Sequence, residues 1–157
     1  MPTSECPLCQ PESGVIARTE YWTLILNENQ ATLGRVYLAL NRHETDITNL
    51  TPDEQRTLWE SVAQAKRALV RLFAPDHFNY MFHMNLTPHV HFHIYPRYAT
   101  PREFTPRGCA SPTGEFAGHT FLDSRYGDHY DPAESRTLDH STRDALAAAI
   151  REALASG

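Results

Sequence analysis

The sequence predicts an α+β domain built on a mostly antiparallel sheet of about five strands. Three observations carry this reading. Short stretches rich in β-branched and aromatic residues come first, one long stretch with helical periodicity interrupts them, and two more strand-like stretches follow. Strands grouped on either side of a single helix point to antiparallel pairing, because a parallel sheet is built by repeated strand–helix alternation.

The elements follow in chain order. Residues 1–13 are polar, contain proline and carry the pair Cys6 and Cys9. "VIARTEYWTLILN" (Val15 to Asn27) reads as two short strands or one bent strand. "NENQATLG" (Asn27 to Gly34) is turn-like, and "RVYLALN" (Arg35 to Asn41) is a third strand in which Val36, Leu38 and Leu40 alternate. The main helix is expected over about 52–73. Thr51 and Glu54 fit a capping box, and Pro52 sits at the first helical position. Leu58, Val62, Ala65, Leu69 and Leu72 then step along one face, and Pro75 closes the element. "HFNYMFHMN" (77–85) and "HVHFHIYP" (89–96) are two further strands, joined through Thr87 and Pro88. From Pro96 to about His140, prolines and glycines break every pattern, which reads as a long irregular arm. So long a loop in a compact domain is usually functional or packs on a partner. A C-terminal helix is expected over about 141–155. No internal repeat or linker divides the chain, so residues 1–157 are read as one domain: an N-terminal segment (1–13), a core (14–98), and an arm with its helix (99–157).

Composition narrows the function. The chain of 157 residues can bury one core, and 41% hydrophobic with 21% charged residues is ordinary for a globular domain. A formal charge of −5 provides no basic field for nucleic acid. No apolar run approaches the ~20 residues of a membrane helix. The opening residues lack a charged stretch followed by an apolar one, so no signal peptide is expected and the expected location is cytoplasmic. Cys6, Cys9 and Cys109 are a poor disulfide framework, and the close pair reads first as metal binding or redox chemistry.

The stretch "TPHVHFHIYPR" (Thr87 to Arg97) holds the most specific signal. In a strand, alternate side chains share a face about 6.6 Å apart. His89, His91 and His93 therefore share one face, while Val90, Phe92 and Ile94 pack on the core and fix the register. Three readings stand: surface histidines on a half-exposed strand, a metal site made from the row, and nucleophilic catalysis. Imidazole ligates metals readily. It can also attack phosphorus and carry a phosphoryl or nucleotidyl group covalently, with neighbouring imidazoles meeting the anionic oxygens.

"HVHFHIY" resembles the His-φ-His-φ-His-φ-φ signature (φ apolar) of the histidine triad superfamily of nucleotide hydrolases and transferases. "GRVYLALNRHETDITNLTPDE" is similar to the family's passage from a strand through Arg-His to the helix, and "NYMFHMNLTPHVHFHIYPRY" to its approach to the triad. The similarity covers about Val15 to Tyr98. It implies that His91 is the nucleophile, that His93 bonds the α-phosphate and the bridging oxygen, and that the His89 carbonyl orients the His91 ring. It implies a phosphate contact from Asn85 and a ribose contact from Asn27; from the residues alone, each reads equally as a turn asparagine. Many members bind a structural zinc through residues matching Cys6, Cys9, His43 and His89, and most are homodimers, so both are expected here. Two departures stand out. Met84 and Leu86 replace a glycine and a hydroxyl residue before the triad, and Leu33-Gly34-Arg35 replaces Pro-Gly-His before the third strand.

The resemblance implies cleavage at the α-phosphate of a nucleotide, with dinucleoside polyphosphates, nucleoside phosphoramidates, adenylated adducts and nucleotide-sugar-like compounds as substrate classes. Two alternatives remain open. One is a non-catalytic nucleotide-binding module. The other is a metalloenzyme that uses the histidine row as ligands. In the arm, Arg97, Tyr98, Arg102, Arg107 and Arg125 are read as either extra phosphate contacts or solvated side chains. His119 and His129 are weak site candidates, and His77, His83, His140 and Cys109 have no assigned role.

Overall fold

The computed structural model describes residues 6–100, 102–103, 120–121, 123, 125–128 and 135–156. Strands β1 (Val15–Arg18), β2 (Trp22–Leu26), β3 (Val36–Leu40), β4 (His77–Met81) and β5 (His91–Arg97) form one sheet in the order β1-β2-β3-β5-β4. Every neighbouring pair is antiparallel. Helix α1 (Pro52–Phe73) connects β3 to β4, and helix α2 (His140–Ala155) closes the chain, packing on α1 and β1. The segment from Val15 to Asn27 is two strands, and the predicted α+β class holds.

Helix α1 starts as its sequence dictates. The Thr51 hydroxyl accepts from the Glu54 backbone N–H at 3.2 Å, and the Glu54 carboxylate accepts from the Thr51 N–H at 2.8 Å. The box satisfies two of the amides that a helix start leaves without partners. At the other end Ala74 adopts φ 45, the left-handed cap, just before Pro75. The buried stripe is Leu58, Val62, Ala65, Ala68, Leu69 and Phe73, while Leu72 is only partly buried. It packs on Leu24, Leu26, Val36, Leu38, Leu40, Phe92 and Ile94 of the sheet. Gly34 (φ 80) turns the chain into β3 against this helix; a Cβ there would lie 3.0 Å from both Leu69 and Phe73.

The opposite face of the sheet carries the histidines. Register places Ala39 beside His91, Tyr37 beside His93, Met81 beside His93, and Asn79 beside Tyr95. One expectation is corrected on β5, and one of the three readings of the histidine row loses its ground. The strand begins at His91, not His89, and runs to Arg97. His89 lies in a bend after Pro88, where its N–H donates to the Thr87 carbonyl at 2.8 Å. The imidazole face is also not half-exposed: all seven residues of β5 are buried, with His91 8% and His93 7% exposed. Strand β4 likewise stops at Met81, short of Asn85, and Met84 takes φ 49 in the connection.

The arm is less irregular than expected at its root, where β6 (Arg102–Glu103) pairs with β7 (Thr120–Phe121). Arg97 is neither a phosphate contact nor solvated. It is buried, its Nε donates to Asp123 Oδ2 at 2.5 Å, and its Nη1 donates to Asn79 Oδ1 at 2.7 Å. Tyr98 is buried too, its hydroxyl donating to the Leu33 carbonyl at 2.7 Å. Arg125 is exposed. Arg107, Cys109, His119 and His129 lie outside the described residues, as do the side chains of Arg102 and Glu103. Among the described residues no helix is long and apolar enough to cross a membrane.

Candidate active site and metal centre

The approach to the site is built by the segment after β3. Arg42 Nε and Nη2 donate to the two carboxylate oxygens of Glu54 at 2.7 and 2.9 Å, and Arg42 Nη1 reaches Glu44 at 3.0 Å. Arg42 is the first cause holding the Glu54 carboxyl below its ordinary range. The fork fixes the backbone on either side of His43 to the start of α1. Beyond it, the Val90 N–H donates to the Glu44 carbonyl at 2.7 Å, and the Leu40 N–H to the Val90 carbonyl at 3.1 Å. His43 and His89 are thereby brought together although 46 residues separate them.

Cys6, Cys9, His43 and His89 form a four-ligand cluster, with one ligand atom of each within 4.8 Å of all the others. Cys6 Sγ lies 3.3 Å from His89 Nδ1, Cys9 Sγ lies 3.4 Å from His43 Nδ1 and 3.6 Å from His89 Nδ1, and the two Nδ1 atoms are 3.3 Å apart. A tetrahedral zinc with Zn–N of about 2.05 Å and Zn–S of about 2.3 Å requires N···N near 3.3 Å and S···N near 3.6 Å. His89 Nε2 lies 2.7 Å from the Leu40 carbonyl, which can only accept a hydrogen bond. Nε2 therefore carries the proton, and Nδ1 turns its lone pair into the cluster. Burial, then Cys6 beside it, pushes the Cys9 thiol up to about 11, a cost that a cation at this point removes. The donor set and its spacing fit a metal ion that could be held with no open position.

The second half of the row points elsewhere. His91 Nδ1 lies 2.7 Å from the His89 carbonyl, so Nδ1 carries the proton and Nε2 keeps its lone pair. The rings of His91 and His93 stand 4.8 Å apart, and Tyr37 faces them at 6.0 and 5.5 Å. Burial is the largest effect on both and lowers both from the ordinary imidazole range; His93 is held down to about 2, with His91, Arg35 and His83 adding to the effect. Both rings are therefore neutral near neutral pH. The His89 ring faces the cysteines, and the rings of His91 and His93 remain on the sheet face.

The asparagines are placed less distinctly. Asn27 follows β2, and its Oδ1 accepts from the Asn29 N–H at 2.9 Å, the local turn bond open to such a residue. Asn85 is exposed in the connection before the triad. His83 had no role in the sequence reading, yet its ring lies 5.2 Å from His93 and 6.0 Å from Tyr95. The alternation His77, Asn79, Met81, His83 was its only sequence signal, and that signal becomes meaningful only once Met81 is known to pair with His93.

Solved structures with this fold include a hypothetical histidine triad nucleotide-binding protein from Sulfolobus tokodaii strain 7 (TM-score 0.68, 16% identity, 96% of this chain and 93% of that chain covered). A Zn-bound histidine triad family protein from Mycobacterium smegmatis gives a TM-score of 0.62 at 17% identity, over 99% of this chain and 96% of that one. A HIT family protein from Bacillus anthracis str. 'Ames Ancestor' gives 0.56 at 25% identity, over 60% and 74%. No curated protein matches the chain by sequence. Residues 10–100, which begin just after Cys9 and span His43 and the histidine row, match the HIT domain, and the chain belongs to the HIT domain family.

Proposed function

We propose that the chain is a nucleotide hydrolase or nucleotidyl transferase that acts at an α-phosphate through a covalent nucleotidyl-histidine on His91. The 2.7 Å contact between His91 Nδ1 and the His89 carbonyl carries this reading. It leaves Nε2 of a neutral ring as the nucleophile. As the Nε2–P bond forms, the bond from phosphorus to the leaving group breaks, and its electron pair departs with that group. Water or another acceptor then attacks the same phosphorus and frees His91. His93, next on the same face, meets the phosphate and bridging oxygens. Asn85 is assigned to the phosphate, and the Asn27 amide to a ribose hydroxyl.

Zinc is the proposed occupant of Cys6, Cys9, His43 and His89, a structural ion that ties the N-terminal segment to the start of β5. The zinc reported for the Mycobacterium relative and the nucleotide binding named for the Sulfolobus relative support these assignments. Thiol ligands suit a reducing compartment, in keeping with a cytoplasmic location. We also assign a homodimer. Strand β4 is an edge of the sheet, and Trp59 (59% exposed) and Tyr80 (39% exposed) lie 5.6 and 6.1 Å from the Phe92 ring, forming an aromatic patch for a second copy to cover.

The test is turnover of diadenosine tetraphosphate, adenosine 5′-phosphoramidate and ADP, with and without inorganic phosphate, by wild type and His91→Ala. Turnover lost in the variant supports the proposal. A non-catalytic nucleotide-binding module is the second reading, favoured by Leu86, 98% exposed where a hydroxyl residue is expected. It predicts tight AMP binding and no turnover by wild type.

A further inference from the structure

Two buried imidazole nitrogens beside the nucleophile remain unaccounted for. Nε2 of His83 and Nδ1 of His93 have no hydrogen-bond partner among the described residues. His93 is 7% exposed, so water does not freely meet its ring. Buried nitrogens of this kind are disfavoured unless a ligand supplies the partner.

Both rings lean on Tyr95, with centroids 6.0 Å away for His83 and 5.5 Å away for His93. Over the Tyr95 ring lies the Arg35 guanidinium, 4.6 Å from the centroid, with Nη2 donating to the Tyr95 hydroxyl at 3.2 Å. Register explains the meeting. Val36 pairs with Ile94, so the next residue back along β3 comes level with Tyr95. Arg35 is 9% exposed, a cation set into the floor of the face. Of the groups acting on His93, Arg35 is the permanent cation, a sign that favours an anion there.

The attacked phosphate already has His91 and His93. Arg35 lies one alternate-residue step beyond His93, about 6.6 Å along the strand. We infer that His83 and Arg35 form a second anion position next to the triad, and that the substrate is a nucleotide whose attacked phosphate is linked to at least one more phosphate. The substrate assignment rests on the nucleotidyl-transfer reading; the anion position itself does not. An uncharged amine leaving group gives Arg35 nothing to bind. A polyphosphate places an oxyanion beside the Arg35 guanidinium and the His83 ring, which both flank Tyr95.

The experiment compares kcat/KM for diadenosine tetraphosphate and adenosine 5′-phosphoramidate in wild type, Arg35→Met, His83→Leu, Arg35→Lys and His83→Gln. Arg35→Met and His83→Leu each lower the polyphosphate-to-phosphoramidate ratio by about tenfold or more, mainly through KM, and the conservative variants recover part of it. Equal losses on both substrates would show that the two residues merely support Tyr95, and would overturn the inference. His83 is only partly buried, so His83→Leu keeps the test available if Arg35→Met fails to fold. Should wild type turn over neither substrate, the nucleotidyl-transfer reading fails, and calorimetry with inorganic tripolyphosphate decides the anion position. Binding that weakens about tenfold in both variants supports it; no binding, or binding indifferent to both substitutions, overturns it.

Discussion

The carbonyl oxygen of His89 lies 2.7 Å from Nδ1 of His91, while the ring of the same His89 sits among Cys6, Cys9 and His43. One residue therefore serves two sites with two different atoms. Its side chain belongs to the four-ligand cluster, and its main chain sets the tautomer of His91, the proposed nucleophile. The bend at His89 makes this possible. A regular strand would present all three imidazoles on one face, whereas the turn after Pro88 swings the first ring away and leaves its carbonyl pointing at His91.

Metal removal is expected to loosen this arrangement. The purified chain carries about one zinc, and Cys6→Ser loses it. The loss costs at least about 3 kcal/mol, or roughly 6–12 °C in Tm for a chain of this size. Elemental analysis with scanning calorimetry checks both values. A metal-free wild type that melts at the same temperature as the loaded protein contradicts the assignment.

Stability is expected to fall with acid, in part through His93. Burial, then His91, Arg35 and His83, holds its folded pKa down to about 2, against about 6.5 in the unfolded chain. The unfolded chain therefore takes up this proton first as pH drops. The contribution is fully present above about pH 6.5 and is lost progressively below it, with a slope of up to about 1.4 kcal/mol per pH unit. Urea unfolding of His93→Gln and wild type between about pH 6 and 5 reads the difference. The variant loses stability less steeply; equal slopes contradict the neutral, buried assignment.

The Arg97–Asp123 pair is expected to hold the arm to β5. Both side chains are buried, and the Arg125 carbonyl accepts from Arg97 Nη2 at 2.6 Å. Asp123→Ala leaves the guanidinium without its counter-charge and costs about 3–5 kcal/mol. The double variant Arg97→Met with Asp123→Leu regains most of that. Denaturant titration of all three proteins checks this, and a single variant as stable as wild type refutes it.

The aromatic patch of Trp59 and Tyr80 is expected to be covered in solution. Sedimentation equilibrium shows twice the 17.8 kDa chain mass. Trp59→Glu raises the dimer Kd by about 30-fold or more. A monomeric wild type contradicts the dimer.

Local signals in the sequence reported local structure well. Thr51, Pro52 and Glu54 announced the start of α1, and the alternation through Val90, Phe92 and Ile94 announced the apolar side of β5. What escaped depended on partners distant in the chain. Arg97 looked like a solvated or phosphate-binding arginine because its partner Asp123 is 26 residues away, within an arm that has no periodic pattern. Arg35 and His83 are 48 positions apart and meet only across Tyr95, through the registers of two strand pairs. The metal set is intermediate. Cys6 and Cys9 are a visible half-site, but His43 and His89 were joined to them by family resemblance, not by spacing.

The most direct test of the central claim is the stereochemical course at the α-phosphorus, using a substrate made chiral there by sulfur and isotopic oxygen. Attack by His91 followed by attack of water gives two inversions, so the account predicts net retention, with turnover falling by about three orders of magnitude or more in His91→Gln. Net inversion, or undiminished turnover in the variant, would contradict a nucleotidyl-histidine intermediate.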